Sequence, residues 1–400
     1  MQRANRASIE FSLTWQSGRA RHCERLYVPT VDFWRDIFPG ELGAVTAALQ
    51  PGQSATETFD AGVLVPAHED RKIIRFKEAQ FDRVQGGRSL TPRLGRFYPQ
   101  GFAWSALGCF RGDYTPFRLV GLDEGVMVAD TNHPLARFPL TLAATYVEKL
   151  GPIEERGGTC NHIAEAVTNS GPGMQIAYPD VPTDFYTPYP LPRQDDAGDA
   201  DYYRLPRMVA HLDATAIAHV TSLYGRLLAP GTRVLDLMSS WASHLPTALH
   251  SCTVTGLGMN EQELRANDRL ARWVVHDLNL KPSLPFDHGQ FEAAVCTASI
   301  EYLTRPREVM SEVARVLKPG GIFVTTFSDR WFPGKEIEAW SDLHRFERLG
   351  YVHDLYASSG VFDDLHTETI RGWPRPADDP HIRQTVTSDP VLAVWGRARR

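Results

Sequence analysis

Residues 232–237 read Thr-Arg-Val-Leu-Asp-Leu, an apolar run closed by a lone carboxylate, and the chain beyond them keeps one beat of apolar run, turn and amphipathic run. Before it, apolar positions recur at helical spacing from Ala210 to Leu228 and stop at Pro230-Gly231. After it, the bend Met238-Ser239-Ser240-Trp241-Ala242-Ser243 is expected to lead into a helix at His244-Leu-Pro-Thr-Ala-Leu249. A second strand is expected at Thr253–Leu257 with a helix opening at Glu261, and a third ending at Trp273-Val-Val-His276 before Asp277. Phe291–Thr297 forms the fourth, Arg305–Leu317 a helix, and Gly321–Phe327 the fifth. Near-continuous apolar strands that alternate with helices predict a parallel sheet covered on both faces, with polar groups gathered at the strands' carboxyl ends.

Composition narrows what such a sheet can serve. The 400 residues are 42% hydrophobic and 22% charged, the balance of a soluble globular protein of two or three domains rather than a disordered chain. A net charge of −6 argues against a chain-wide grip on nucleic acid or anionic lipid. No run approaches the roughly 18 apolar residues of a membrane span, and Met1–Ser8 has no apolar segment behind its charges, so a cytoplasmic protein is expected. Five scattered cysteines without a Cys-x-x-Cys pair suggest neither a disulfide frame nor a thiolate zinc site, and Cys160-Asn-His162 is too short a cluster for a metal.

The first half differs in period. Ile9–Trp15 alternates as a half-buried strand up to a Ser17-Gly18 turn, Glu41–Leu49 is a short amphipathic helix between Pro39-Gly40 and Pro51-Gly52, and Ser54–Phe59 resumes the alternation. Residues 151–206, rich in Gly, Pro and Asp, read as a connector. Its aromatics, Phe185-Tyr186 and Tyr202-Tyr203, either anchor it or close over a ligand as a lid.

From Arg207 to its end the chain resembles the class I S-adenosylmethionine-dependent methyltransferases. The resemblance rests on the strand ending at Asp236, on Leu284-Pro-Phe-Asp287 with Phe291, and above all on Arg315-Val-Leu-Lys-Pro-Gly-Gly321 before a β-branched strand. It implies an α/β fold with a Rossmann-like seven-stranded methyltransferase sheet over 207–400, whose reversed final pair is expected at Tyr351–Leu355 and Val391–Trp395. It also implies S-adenosyl-L-methionine as the cofactor and no metal. Residues 1–150 resemble the FKBP-type prolyl isomerases, specifically the bacterial subgroup with an insert-in-flap domain. The carriers are Pro99-Gln-Gly-Phe102, Val128–Asp130, Asn132-His-Pro-Leu-Ala136 and Leu140–Tyr146, which place a small inserted β domain at about 72–130. Leu42 stands where many isomerases have tryptophan, and no Phe-Asp pair matches the family's pocket strand.

A sulfonium nucleotide presents an ammonium, a carboxylate, ribose hydroxyls and an adenine edge, and needs partners for each. The resemblance assigns the methionine end to Asp236 and to Met238, Ser239, Ser240 and Trp241, which replace the glycines of most relatives. Gly258 occupies the usual place of the ribose carboxylate, next to Met259. Asn260 or Glu261 is left for the hydroxyls, although Asn260 equally reads as a helix N-cap. Asp277, with Leu278 and Asn279, is assigned to adenine, the alternative being a turn carboxylate bonded to its own backbone. Ser299 belongs to the end of the fourth strand.

Acceptor-side candidates are Glu301 as base or orienter, Tyr302 as donor and Arg330 as a clamp for an acidic group. Glu301 as a helix cap and Arg330 in a surface ion pair are the plainer alternatives. The function implied is methyl transfer to a small-molecule or peptide acceptor, with no nucleic acid and no membrane as partner. The competing possibility is a peptide-binding chaperone or isomerase with a cofactor-sensing C-terminal domain.

Overall fold

The computed structural model of the protein describes residues 4–85, 88–153 and 158–399. The N-terminal part contains β1 (Ala4–Gln16), β2 (Ala20–Asp32), α1 (Leu42–Ala47) and β3 (Ser54–Phe59). It continues through β4 (Ile73–Lys77), the small hairpin β5 (Val84–Gln85) and β6 (Arg88–Ser89), β7 (Phe97–Pro99) and α2 (Trp104–Leu107). It ends with β8 (Pro116–Asp123), β9 (Val126–Asp130) and β10 (Leu140–Ile153). The connector holds α3 (Ile163–Thr168) and α4 (Asp199–Tyr202). The alternating half comprises α5 (Ala214–Leu227), β11 (Arg233–Leu237), β12 (Thr253–Gly258), α6 (Glu261–Ala266), β13 (Leu270–Val275) and β14 (Phe291–Thr297). It closes with α7 (Pro306–Val316), β15 (Leu317–Phe327), α8 (Glu338–Asp342), α9 (Arg345–Ser359), β16 (Phe362–Arg371) and β17 (Val391–Ala398).

These strands build one sheet in the order β13-β12-β11-β14-β15-β17-β16-β2-β1-β10-β3. Its first five members run parallel and β17 is antiparallel to both its neighbours, which gives the seven-stranded doubly wound layer expected of the second half. The sheet does not stop there. β16 pairs in parallel with β2, from Leu365 opposite Ala20 to Arg371 opposite Leu26, so the two halves share a backbone ladder. The seam is polar. His22 Nδ1 lies 2.8 Å from Thr367 Oγ1, Arg25 bridges Glu10 (2.9 Å) and Glu368 (3.1 Å), and Arg371 pairs with Glu24.

Between β3 and β10 the chain forms a second sheet, β4-β9-β8-β7, with its own core of Phe76, Phe81, Tyr98, Phe117, Leu119 and Met127. Asn132 closes the neck of this excursion. Its Oδ1 accepts from the Glu69 amide at 2.9 Å, and its Nδ2 donates to the Glu69 carbonyl at 3.0 Å. No helix among the described residues is long and apolar enough to cross a membrane.

Two expected elements differ. The helix after the bend is absent: His244 takes φ +54°, Pro246 follows, and only a single 3-10 turn forms at Thr247–Leu249. A left-handed residue and a proline two positions later deny the first turn its geometry. Tyr351–Leu355 lies inside α9, so the reversed final pair is β16 with β17. Tyr351, Val352 and Leu355 are buried on a helix face, and their apolar cluster was too short to separate helix from strand by period.

Candidate functional site

β11 buries Val234, Leu235 and Leu237 and brings Asp236 to the carboxyl edge of the sheet at 3% exposure. Asp236 Oδ2 accepts from the hydroxyls of Ser239 and Ser243, both at 2.6 Å, which leaves Oδ1 for a ligand in the cleft that Asp236 lines. Burial raises this carboxyl to about 6, and the two hydroxyls oppose the rise.

The bend is held against the neighbouring strand. Met238 has φ +57°, and the Ser239 amide donates to the Leu257 carbonyl at 2.8 Å. The loop backbone therefore crosses directly over the end of β12, where a Cβ on Gly258 would lie 2.1 Å from the Ser239 carbonyl oxygen. The close approach that glycines in the loop give most relatives is provided here by a glycine in the strand beneath. For the same reason no side chain fits at 258, and a ribose carboxylate there is sterically excluded.

Around this bend the side chains divide into engaged and free. Asn260 caps α6, its Oδ1 accepting from the Gln262 and Glu263 amides at 2.9 and 3.1 Å, while its Nδ2 donates to the Tyr203 carbonyl at 2.8 Å. Its Oδ1 has the N-cap role and its Nδ2 ties the cap to the connector. Glu263 joins two segments, accepting from Ser240 Oγ at 2.6 Å and from the Arg207 amide at 2.7 Å. Asp277 Oδ1 bonds the Asn279 and Leu280 amides, the turn alternative, and Oδ2 remains toward the cleft. Asn279 donates to Asp199 (2.8 Å) and to the Tyr302 carbonyl (2.9 Å), so it braces the wall. Trp241 Nε1 reaches the Val209 carbonyl at 3.1 Å, and Ser299 Oγ the Thr297 carbonyl at 2.9 Å. Met238, Met259, Leu278 and Ser299 all line the same cleft.

The acceptor-side candidates separate. Tyr302 lines the cleft, accepts from the Phe332 amide at 2.8 Å and stacks on the Phe332 ring. Arg330 turns away to His381 (3.2 Å) and Asp389 (3.8 Å), the ion-pair alternative. Glu301 is 1% exposed, does not line the cleft, and neither carboxyl oxygen has a hydrogen-bond partner among the described residues. Burial lifts its carboxyl to about 8, with Glu336 adding to the rise and Arg348 opposing it.

Such a group titrates visibly. The folded carboxyl keeps its proton to about pH 8 and the unfolded one loses it near 4.5, so stability falls as pH rises through that window. Glu301→Gln removes the fall. Its thermal midpoint should match wild type at pH 5 and exceed it by up to about 5 °C above pH 8. A constant difference at all pH values would mean that Glu301 is ionised in the fold.

The connector supplies what the sheet lacks. Lys335, 1% exposed in the loop after β15, donates to the Ala197 carbonyl at 2.7 Å and lies 3.2 and 3.5 Å from Asp195 and Asp199. Asp199 also takes Arg193 at 2.8 Å, which fixes α4 over the cleft. From there Tyr203, Arg207, His211 and Leu212 line it. Arg207 lies 4.4 Å over the Tyr202 ring and 5.3 Å from that of Phe332, and its buried Nη1 has no partner. A buried donor left unpaired costs about 1–3 kcal/mol. His211 and His244 face the same space, and burial lowers both imidazoles, the neighbouring His211 adding to the effect on His244. Phe185-Tyr186, by contrast, anchors to α9 through Tyr351 and Asp354. The sequence reading missed Arg207, His211 and His244. The Ser243-His244-Leu245-Pro246 sequence, with a proline two positions after the histidine, and Arg207 four residues after Tyr203 were the signals present.

Residues 238–325 match the family described as methyltransferase domain. A ubiquinone/menaquinone biosynthesis C-methyltransferase of Ruegeria sp. (strain TM1040) is 32% identical over 160 residues, covering 36% of this chain and 61% of that protein. A phosphatidylethanolamine N-methyltransferase of Cereibacter sphaeroides is 28% identical over 158 residues, covering 36% of this chain and 75% of that protein. Among solved structures, a putative methyltransferase from Bacillus halodurans C-125 aligns with 47% of this chain and 100% of its own length at 12% identity and a TM-score of 0.33. The C-terminal half of the chain thus contains a methyltransferase domain of the class I, S-adenosylmethionine-dependent kind.

Proposed function

We propose that the protein is an S-adenosylmethionine-dependent methyltransferase whose cofactor lies in the cleft at the carboxyl ends of β11, β12, β13 and β14, beneath residues 199–212. The observation that carries this reading is Asp236, a buried carboxylate with one oxygen held by two serines and the other free, beneath a bend packed on Gly258. The fit is chemical. Asp236 suits the ammonium, Asp277 Oδ2 the adenine amino group, and Met238, Leu278 and Leu257 supply apolar wall. Bound there, the cofactor supplies an electrophilic methyl group on a sulfonium. The chain's own contribution is alignment and exclusion of water, through the wall of Tyr302, Tyr203 and Phe332. Two imidazoles held neutral by burial, His211 and His244, stand in the cleft to accept a proton from a hydroxyl, thiol or amine acceptor.

Titration calorimetry with S-adenosylmethionine and S-adenosylhomocysteine tests the reading. An ammonium partner must be ionised, so affinity should fall about tenfold from pH 7 to pH 5 as Asp236 gains its proton near 6. No binding at millimolar ligand removes the proposal; binding that is flat with pH removes Asp236 from it.

For the first half, the FKBP-like, insert-in-flap reading is supported by the second sheet between β3 and β10 and by the neck that Asn132 closes on Glu69. In this reading residues 1–150 hold a polypeptide, which makes a delivered polypeptide acceptor as open as a small molecule. Production of S-adenosylhomocysteine from pooled metabolites and from pooled proteins separates the two. Catalysed isomerisation of a proline-containing peptide would add the second activity, and its absence would leave binding alone.

A further inference from the structure

The methionine end of the proposed cofactor is a zwitterion, and the cleft is lopsided toward one half of it. Carboxylates are plentiful: Asp236 and Asp277 each keep an oxygen free. Cations are not. Arg207 is the only arginine or lysine among the described residues that line the cleft, and it comes from the connector rather than from the sheet. Its other bonds explain its position but not its charge. The backbone amide holds Glu263, Nη2 donates to the Tyr202 carbonyl at 3.1 Å, and the guanidinium is sandwiched by the rings of Tyr202, Tyr203 and Phe332 at 4.4, 5.7 and 5.3 Å. Among the described residues no carboxylate pairs with that guanidinium, and Nη1 is buried without an acceptor.

Rings on several sides fix the guanidinium plane and bury its Nη1, and a planar, oriented fork of this kind binds a carboxylate strongly. Glu263 ties the Arg207 amide to the Ser240 hydroxyl, so the cation is held against the bend that carries Asp236. We propose that Arg207 is the receptor for the carboxylate of the methionine moiety, so that the connector completes the cofactor site with the charge its sheet lacks. Asp236 and Arg207 then read the two charges of one amino acid from opposite sides. The inference rests on the cofactor reading above and adds a residue and a role to it.

The test compares S-adenosylmethionine with its decarboxylated form, which keeps the sulfonium, the ammonium and the nucleoside but lacks the carboxylate. Both are titrated into full-length wild type and into Arg207→Met and Arg207→Lys. Wild type should prefer the carboxylated ligand by about 10- to 100-fold, the range of a charge-assisted pair. Arg207→Met should lose that preference while binding the decarboxylated ligand as wild type does, and Arg207→Lys should retain part of it. A residue that only braces the connector would weaken both ligands equally on substitution, and that result overturns the inference. So does an Arg207→Met variant that keeps the preference, which would move the carboxylate elsewhere. Wild type that binds neither ligand removes the cofactor reading itself, whereas wild type that binds both equally removes only the role of Arg207.

Discussion

Gly258→Asp should abolish cofactor binding and lower the thermal midpoint by roughly 5 °C or more, although it restores the acidic residue that most relatives place there. The reason is steric and local. A Cβ at 258 would stand 2.1 Å from the Ser239 carbonyl oxygen and 3.2 Å from the Leu264 side chain, and the first of these neighbours is backbone. It can withdraw only by breaking the Ser239 amide bond to the Leu257 carbonyl, and that movement carries the Ser239 hydroxyl off Asp236. One substitution thereby disturbs the bend, the carboxylate and the strand end together. Overpacking of this kind costs about 1–3 kcal/mol where side chains yield, and more where backbone must. Gly258→Ala should reproduce most of the loss without any charge. Calorimetry and thermal melts of the two variants decide the matter: tighter binding by the aspartate variant at an unchanged midpoint would mean that the bend is free to move and that the crossing is not what excludes a side chain.

This exchange of glycine positions also marks where the sequence was legible and where it was not. Four of the five parallel strands were readable because β11, β12, β14 and β15 are largely buried on both faces and so spell continuous apolar runs, as in Phe291–Thr297; β13, at the sheet's edge, is half-exposed. The carboxylate at the end of the first was equally plain, since nothing else polar interrupts Val234-Leu235-Asp236-Leu237. Gly258 looked like a lost ligand because a strand glycine carries no sign of what approaches it; the partner backbone is 19 residues away in the chain. Asn260 and Asp277 each had two readings, and hydrogen bonds select between them: the cap takes Oδ1 of Asn260 and the connector carbonyls take its Nδ2, whereas the turn takes one oxygen of Asp277 and leaves the other. Glu301 sits at the right strand end for a base but faces inward, a choice of side that residue type does not encode. Arg207 lay at the end of a stretch without periodicity, where pattern arguments have nothing to count, whereas His211 and His244 opened segments read as helices, where period marks a face and not a ligand.

Removal of residues 1–150 should leave a fragment that aggregates or melts without cooperativity, rather than a working methyltransferase domain. As an independent unit, the seven-stranded layer would end at β16. In this chain β16 is an inner strand: its ladder to β2 runs from Leu365 opposite Ala20 to Arg371 opposite Leu26, and Thr367, Glu368 and Thr369 are buried there. Deletion would leave that ladder as an open edge, long and flat, which is a template for pairing with other chains. It would also strand a charge. Arg371 would lose Glu24, its carboxylate partner, whereas Glu368 would lose Arg25 but keep Arg226 at 2.7 Å. Breaking a partly buried pair such as Arg371–Glu24 by removing one member costs a few kcal/mol, because the charge left behind has lost its carboxylate. The polar seam thus binds the halves more specifically than an apolar contact would, since the pairs His22–Thr367, Arg25–Glu368 and Glu24–Arg371 form only in this register. The decisive measurement is size-exclusion chromatography with a thermal melt of residues 151–400 against the full chain. A monomeric fragment with a sharp transition near that of the full chain would show that the shared ladder is dispensable. Aggregation would mean that the N-terminal strands are part of the methyltransferase sheet's own stability, so that loss of turnover on truncation cannot be taken as loss of substrate delivery. The excursion, residues 73–130, has its own core of Phe76, Phe117 and Met127 and ends that meet at the Glu69–Asn132 neck, but Arg96 and the Phe97 amide bind Glu347 of α9, so its deletion too must be paired with a thermal melt before lost turnover is read as lost delivery.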